Sequence, residues 1–246
     1  MILAGALAGT AVLAQSPTTT GHLPERLVVG DFSGAPPGAL PDDWKALTFP
    51  DIKAHTRYVA VADPQHGQVV KAEAVASASG LMHSVTLDPR AWPILQWQWK
   101  AERLVAKADL TRKDGDDYPA RIYVSFAYDP QRVSWLERAW YAAAKLFYGQ
   151  YPPQSGLNYI WDNQSPVGTI APNPYTSRVR MIVVESGPAH LGQWRRYERN
   201  IVDDYRKAFG EDAPAISGIA IMTDTDNTGE SVIAWYGNIA LSRAAP

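Results

Sequence analysis

The sequence predicts an all-β fold, an antiparallel sandwich that carries two short helices. Three observations lead there. Short runs rich in Val, Ile, Tyr and Trp recur along the chain. Clusters of Pro, Gly, Asp and Asn separate many of them, as in DPQHG, LDPRAWP, KDGDDYP and NPYTS. Several runs alternate apolar with polar residues, the pattern of a strand with one face in a core.

Taken in order, the chain opens with MILAGALAGTAVLAQS. Residues Ile2 to Ala14 are small and apolar, too few to span a bilayer, and end small-x-small at Val12 and Ala14. Residues 1–14 are read as a secretory signal peptide, with a buried N-terminal helix as the competing reading. Residues 15–26 follow as a flexible leader and 27–246 as one sandwich domain. The expected strands are RLVVGDF, HTRYVAVA, QVVKAEA, GLMHSVTL, ILQWQWKAE, ARIYVSFAY, LNYIWDN, RVRMIVVES, GIAIMTD and SVIAWYGNIAL. In SWLERAWYAAAKLFYG, Leu136, Trp140, Ala143 and Phe147 recur at helical spacing, with Ser134 and Gly149 as caps. In YERNIVDDYRKAFG, Ile201, Tyr205 and Phe209 are four apart and Gly210 closes the run. Both are expected as helical insertions.

Composition narrows the function. The 246 residues are 46% hydrophobic and 20% charged, enough for a sizeable core. A formal net charge of -2 and the lack of a basic run make nucleic acid a poor partner. There is no Cys, which excludes thiol nucleophiles and Cys-based zinc sites. The five His form no HExxH or HxH pair, and no GxSxG or phosphate-binding glycine loop is present. No membrane span is expected after signal cleavage, and the sequence does not set an oligomeric state.

Alternation assigns faces. Val70, Ala72 and Ala74 oppose Lys71 and Glu73; Leu95, Trp97 and Trp99 oppose Gln96, Gln98 and Lys100; Ile122, Val124, Phe126 and Tyr128 oppose Arg121, Tyr123 and Ser125. If these strands share a sheet, their polar faces form one ligand surface; otherwise each is a solvated outer face. In KDGDDYPAR, Asp116 or Asp117 would orient the fork of Arg121 on a polar ligand, or form a turn with a structural ion pair. In DTDNTGE, Asn227-Thr228-Gly229 suits a hairpin. Asp224, Asp226, Asn227 and Glu230 also supply oxygen atoms toward a calcium ion, which takes about six to eight. Arg199 and Asp203, four apart on the second helix, either pair along one face or stand on a solvated helix face, the latter being the expectation. Trp92, Trp161, Trp194 and Tyr175 fall in or near loops, whereas Trp97, Trp99 and Trp235 are expected in the core.

Together KAEAVASASGL, WQWKAE, KDGDDYPARIYVSF, NPYT, VVESG, RNIVDDYRKAFG and IMTDTDNTGESVIAWYGNIAL resemble a bacterial exported family known only as a domain of unknown function. The match is collinear from about RLVVGDF onward. That family is similar to galactose-binding-like sandwiches. The resemblance therefore implies a jelly-roll-type architecture suited to carbohydrate, without an activity, a catalytic residue or a cofactor.

Three functions follow as expectations. The first is a secreted or periplasmic module that binds a saccharide or similar polar ligand through Lys71, Glu73, Gln98, Lys100, Arg121, Tyr123, Asp224 and Asp226. The second is a glycan hydrolase using two of Glu73, Asp116, Asp117, Asp224 and Asp226, or a lyase using Tyr123, Lys100 and Arg121. The third is an envelope interaction protein with an exposed apolar patch on the first helix through Trp135 and Phe147.

Overall fold

The structure, a computed structural model, describes residues 25–40, 42–148 and 151–243. The segment read as a signal peptide, most of the expected leader, Gly149, and the side chain of Phe147 lie outside the described residues. In chain order the elements are β1 (Arg26–Gly30), β2 (Trp44–Leu47), β3 (Arg57–Asp63), β4 (Gly67–Val75), β5 (Ala78–Leu87), β6 (Ile94–Ala101), β7 (Arg121–Phe126), α1 (Trp135–Tyr148), β8 (Ser155–Asp162), β9 (Ile170–Asn173), β10 (Thr176–Ser186), β11 (Arg195–Asn200), α2 (Ile201–Phe209), β12 (Ile216–Asp224), β13 (Ser231–Tyr236) and β14 (Ile239–Ser242). Arg26, placed in the leader by the sequence, already pairs in β1.

Two sheets form the sandwich. The first runs β1-β14-β6-β13-β4-β3, with β11 also on β6. β6 is paired along both edges. Its Trp99 faces Arg195 of β11 on one side and Tyr236 of β13 on the other, and its Leu95 faces Arg199 and then Leu241 of β14. The second sheet runs β2-β5-β12-β7-β8-β10-β9. It is antiparallel except where β10 lies parallel to β8.

The alternating apolar residues meet between the sheets. Ala72, Leu95, Trp97, Trp99, Ala234 and Tyr236 come from the first sheet, and Ile122, Val124, Phe126, Tyr159, Trp161 and Ile221 from the second. The Trp97 ring lies 5.2 Å from that of Tyr159 across the interface. Such side chains each contribute about 1.5–3 kcal/mol on burial, so this layer dominates stability in a chain without disulfides.

Four sequence expectations change. SVIAWYGNIAL is two strands, broken at Gly237 and Asn238, and Gly237 lies under Gln98, whose side chain a Cβ would approach to 2.5 Å. YERNIVDDYRKAFG is a strand and then a helix. Tyr197 of β11 turns inward onto Trp97, and Asn200 caps α2 by accepting from the Val202 and Asp203 amides at 3.0 and 3.2 Å. Arg199 therefore sits on β11 and pairs with Asp204 rather than Asp203. On α1, Ser134 and Glu137 close a reciprocal capping box, but Tyr141 and Ala144 face inward. Leu136, Trp140 and Ala143, expected to pack, face out. The short strands β2 and β9 are absent from the sequence expectation because four residues carry too little alternation. No helix among the described residues is long and apolar enough to cross a membrane.

Candidate functional site

The polar residues named from the sequence divide between two surfaces. β4 and β6 belong to the first sheet and β7 to the second. Lys71, Glu73, Gln98 and Lys100 thus lie on one outer face, while Arg121 and Tyr123 lie on the other. The single shared face that alternation allowed does not form, because strand order is fixed by distant pairings.

The segment 102–120 bridges the two sheets: its Val105 and Ala108 pack with Ala74 and Val232 of the first, and its later part covers the outer face of the second. Leu110 and Tyr118 from this segment pack on Ile160, Met181 and Val183, which makes a small second core. The cover buries Arg121, which is only 1% exposed. Its Nε donates to Asp224 Oδ1 at 2.8 Å, one terminal nitrogen bonds Asp224 Oδ2 and the Asp116 carbonyl, and the other donates to Asp116 Oδ1 at 3.1 Å and Tyr123 Oη at 3.2 Å. The Tyr118 ring stacks 4.5 Å from the guanidinium. Burial pushes the Tyr123 hydroxyl up to about 12, so it stays protonated.

Three more segments close the cluster. Asn173 Nδ2 donates to Asp116 Oδ2 at 2.9 Å, and Tyr175 places its hydroxyl 2.7 Å from Asn227 Oδ1. Asp117, fully buried, accepts from the Asn227 side-chain amide at 3.1 Å and from the Thr228 N–H at 2.6 Å. KDGDDYPAR, NPYT and DTDNTGE, far apart in sequence, therefore converge at one end of the second sheet.

The charge balance there is uneven. Arg121 pairs with Asp116 and Asp224, while among the described residues Asp117 and Asp226 form no salt bridge. Carboxylate oxygens of Asp117, Asp224 and Asp226 lie within 4.8 Å of one another. Burial first, and then the charge of Asp117, raises the Asp226 carboxyl above its ordinary value. The set that could hold a cation is thus Asp117, Asp224 and Asp226. It gains Asp117 over the sequence expectation and loses two members of it. Asn227 turns its amide to Asp117, and the Glu230 carboxylate accepts from the Ala106 and Lys107 amides at 3.0 and 2.8 Å.

On the first sheet, Trp235 of β13, Lys100 of β6 and Trp194, just before β11, are lateral neighbours. Lys100 Nζ lies 4.5 Å from the Trp235 ring centroid and 5.1 Å from that of Trp194. Asp63 fixes the group. Its Oδ2 accepts from the Trp194 indole at 3.1 Å and lies 3.5 Å from Lys100 Nζ, and its Oδ1 accepts from the His66 amide at 3.1 Å. Burial raises the Asp63 carboxyl, but these hydrogen bonds and Lys100 outweigh it and hold the group well below the usual carboxylate range. His66 stacks 4.3 Å from Trp194. Beside this cluster Glu73 pairs with Lys71 at 2.5 Å and Arg57 at 2.8 Å. A shallow hollow of about 140 Å³ is lined by Arg26, Gln96, Gln98, Arg196 and Asn238.

Trp235, expected in the core, is half-buried on this outer face because its neighbours Ala234 and Tyr236 take the inner positions. Asp63 and His66 carry no sequence signal. Their role comes from β3 and the turn after it reaching across to β11. The proposed lyase trio does not assemble, since Lys100 lies on the first sheet and Arg121 and Tyr123 on the second. Glu73 is likewise on the face opposite Asp116, Asp117, Asp224 and Asp226.

Among solved structures, the chain is similar to the family 11 carbohydrate-binding module of the cellulosomal cellulase Lic26A-Cel5E of Clostridium thermocellum (13% identity, 89% of this chain and 95% of that chain, TM-score 0.44). It is similar to the family 30 carbohydrate-binding module of the cellulase Cel9D-Cel44B of the same organism (8% identity, 90% and 99%, TM-score 0.43). It is also similar to the K1 cleaved adhesin domain of Lys-gingipain of Porphyromonas gingivalis (10% identity, 89% and 99%, TM-score 0.40). At these identities and TM-scores the likeness carries neither a ligand nor an argument to this chain. No curated protein matches it. Residues 42–240 match the family described as "Protein of unknown function (DUF3047)", and the chain belongs to that family.

Proposed function

We propose that this chain is an exported, secreted or periplasmic, β-sandwich protein that binds a saccharide on the outer face of its first sheet. The observation that carries the reading is the Trp235–Lys100–Trp194 row, held in place by Asp63. Saccharides offer apolar ring faces and dense hydroxyls. They are met by aromatic rings with a few fixed polar groups, and Lys71, Gln98 and Lys100 supply those groups here. The short apolar run at Ile2–Ala14 supports export.

The test is retention of the chain on a panel of insoluble bacterial and plant polysaccharides, with soluble ends assayed in the same tubes. Retention without released ends, lost in Trp194→Ala and Trp235→Ala, is the expected result. Retention that both variants keep would remove this face as the site. Release of reducing or unsaturated ends would establish an enzyme instead.

A second reading concerns the other sheet. We propose that Asp117, Asp224 and Asp226 take a calcium ion, which supplies the positive charge that Asp117 and Asp226 lack. An unchanged melting temperature on adding calcium after chelation would reject it.

A further inference from the structure

We propose that the outer side of α1 docks on an anionic lipid surface. It rests on observations separate from the saccharide face. Trp135, Leu136, Trp140 and Leu146 are 75%, 61%, 56% and 87% exposed. Ala139, Ala142 and Ala143 are exposed between them. At 100° per residue these positions form one continuous apolar arc of about 160° on the solvent side of the helix. A helix on a globular protein normally turns such an arc inward; here Tyr141 and Ala144 make the inward contact instead, with Tyr141 stacked 4.0 Å from Tyr128.

The charges on the helix identify the occupant. Glu137 turns inward to Arg178 at 2.6 Å, the one ion pair on α1 among the described residues. The exposed charges are Arg138 and Lys145, both cationic and both on one flank of the apolar arc. Lys145 lies 4.5 Å from the ring of Tyr151, which is itself partly exposed. Trp and Leu on one side with Arg and Lys at its border is the pattern of a helix lying in the plane of a membrane interface. A lipid surface needs no matched partner face.

The experiment is co-sedimentation of the full chain with vesicles of phosphatidylglycerol mixed with phosphatidylcholine, and with phosphatidylcholine alone. Binding is expected to the anionic vesicles and to fall with salt. Arg138→Gln with Lys145→Gln should weaken it about thirtyfold, since each basic group near an anionic surface adds a factor of about five. Trp135→Ser, Trp140→Ser and Leu146→Ser together should reduce it more than about a hundredfold, with an unchanged thermal melt because all three are exposed. Equal binding to both vesicle types, no binding to either, or binding that survives both sets of variants would overturn the proposal. So would a lipid-free dimer in sedimentation velocity that the triple variant abolishes, which would assign the face to a second copy.

Discussion

Replacing Arg121 with Met should destabilise the fold in the absence of any ligand. Met keeps much of the aliphatic length but removes every donor of the guanidinium. Asp224, buried beside it, then keeps only the Tyr118 N–H at 3.2 Å, and Asp116 keeps Asn173. Removing one partner of a buried ion pair typically costs about 3–5 kcal/mol. In a domain of this size each kcal/mol moves the melting temperature by roughly 2–4 °C, so a drop of about 6–20 °C is expected. Urea unfolding followed by circular dichroism reads the free-energy loss, and a thermal melt reads the temperature shift. Adding Asp224→Asn should recover a large part of the loss, because the amide still accepts from Tyr118 without a charge to desolvate. The sign with pH is also fixed. Burial raises the Asp224 carboxyl and loss of Arg121 raises it further, so the penalty is larger at neutral pH than in acid. It is relieved as pH falls toward the ordinary carboxylate value of about 3.9. A loss under about 1 kcal/mol, or a double variant no more stable than the single, would refute the claim that Arg121 is what compensates the buried Asp224.

Asp226→Asn should stabilise the chain at neutral pH in the presence of a chelator, because the raised Asp226 carboxyl is a cost that disappears on protonation; melts at pH 7 and pH 4 should differ from the parent only at pH 7. With calcium added, the order should reverse if Asp226 is a ligand, and isothermal titration of the two proteins with calcium reads this directly. Asn200→Ala removes the acceptor for two α2 amides and should cost about 1 kcal/mol in denaturant unfolding. Gly237→Ala would push a methyl into Gln98, costing about 1–3 kcal/mol and moving that side chain out of its hollow, which saccharide retention would register.

The fold was legible where burial is one-sided. Period-two alternation identified β4, β6 and β7, because each buries one face against the opposite sheet. It could not order them, since alternation is a property of one strand and sheet order depends on partners a hundred residues away. That is why Arg121 and Tyr123 were grouped with Lys71 and Lys100 as one candidate surface. The acidic motifs were legible as residues but not as a cluster. Asp116 and Asp117 read as turn residues, and they are buried only because Leu110 and Tyr118 carry their segment down onto Ile160 and Met181. α1 shows the opposite failure. Its helical period is correct, but periodicity does not say which of two apolar sides meets the protein.

The double pairing of β6 has a consequence for the order of assembly. Its edges are completed by β11 on one side and by β13 and β14 on the other, all beyond residue 194. During synthesis β6, with Trp97 and Trp99, is made long before any of its partners. The first sheet cannot close until the last fifth of the chain is available, and β1 must wait for β14 at the opposite end of the sequence. Such non-local closure makes folding slow and late.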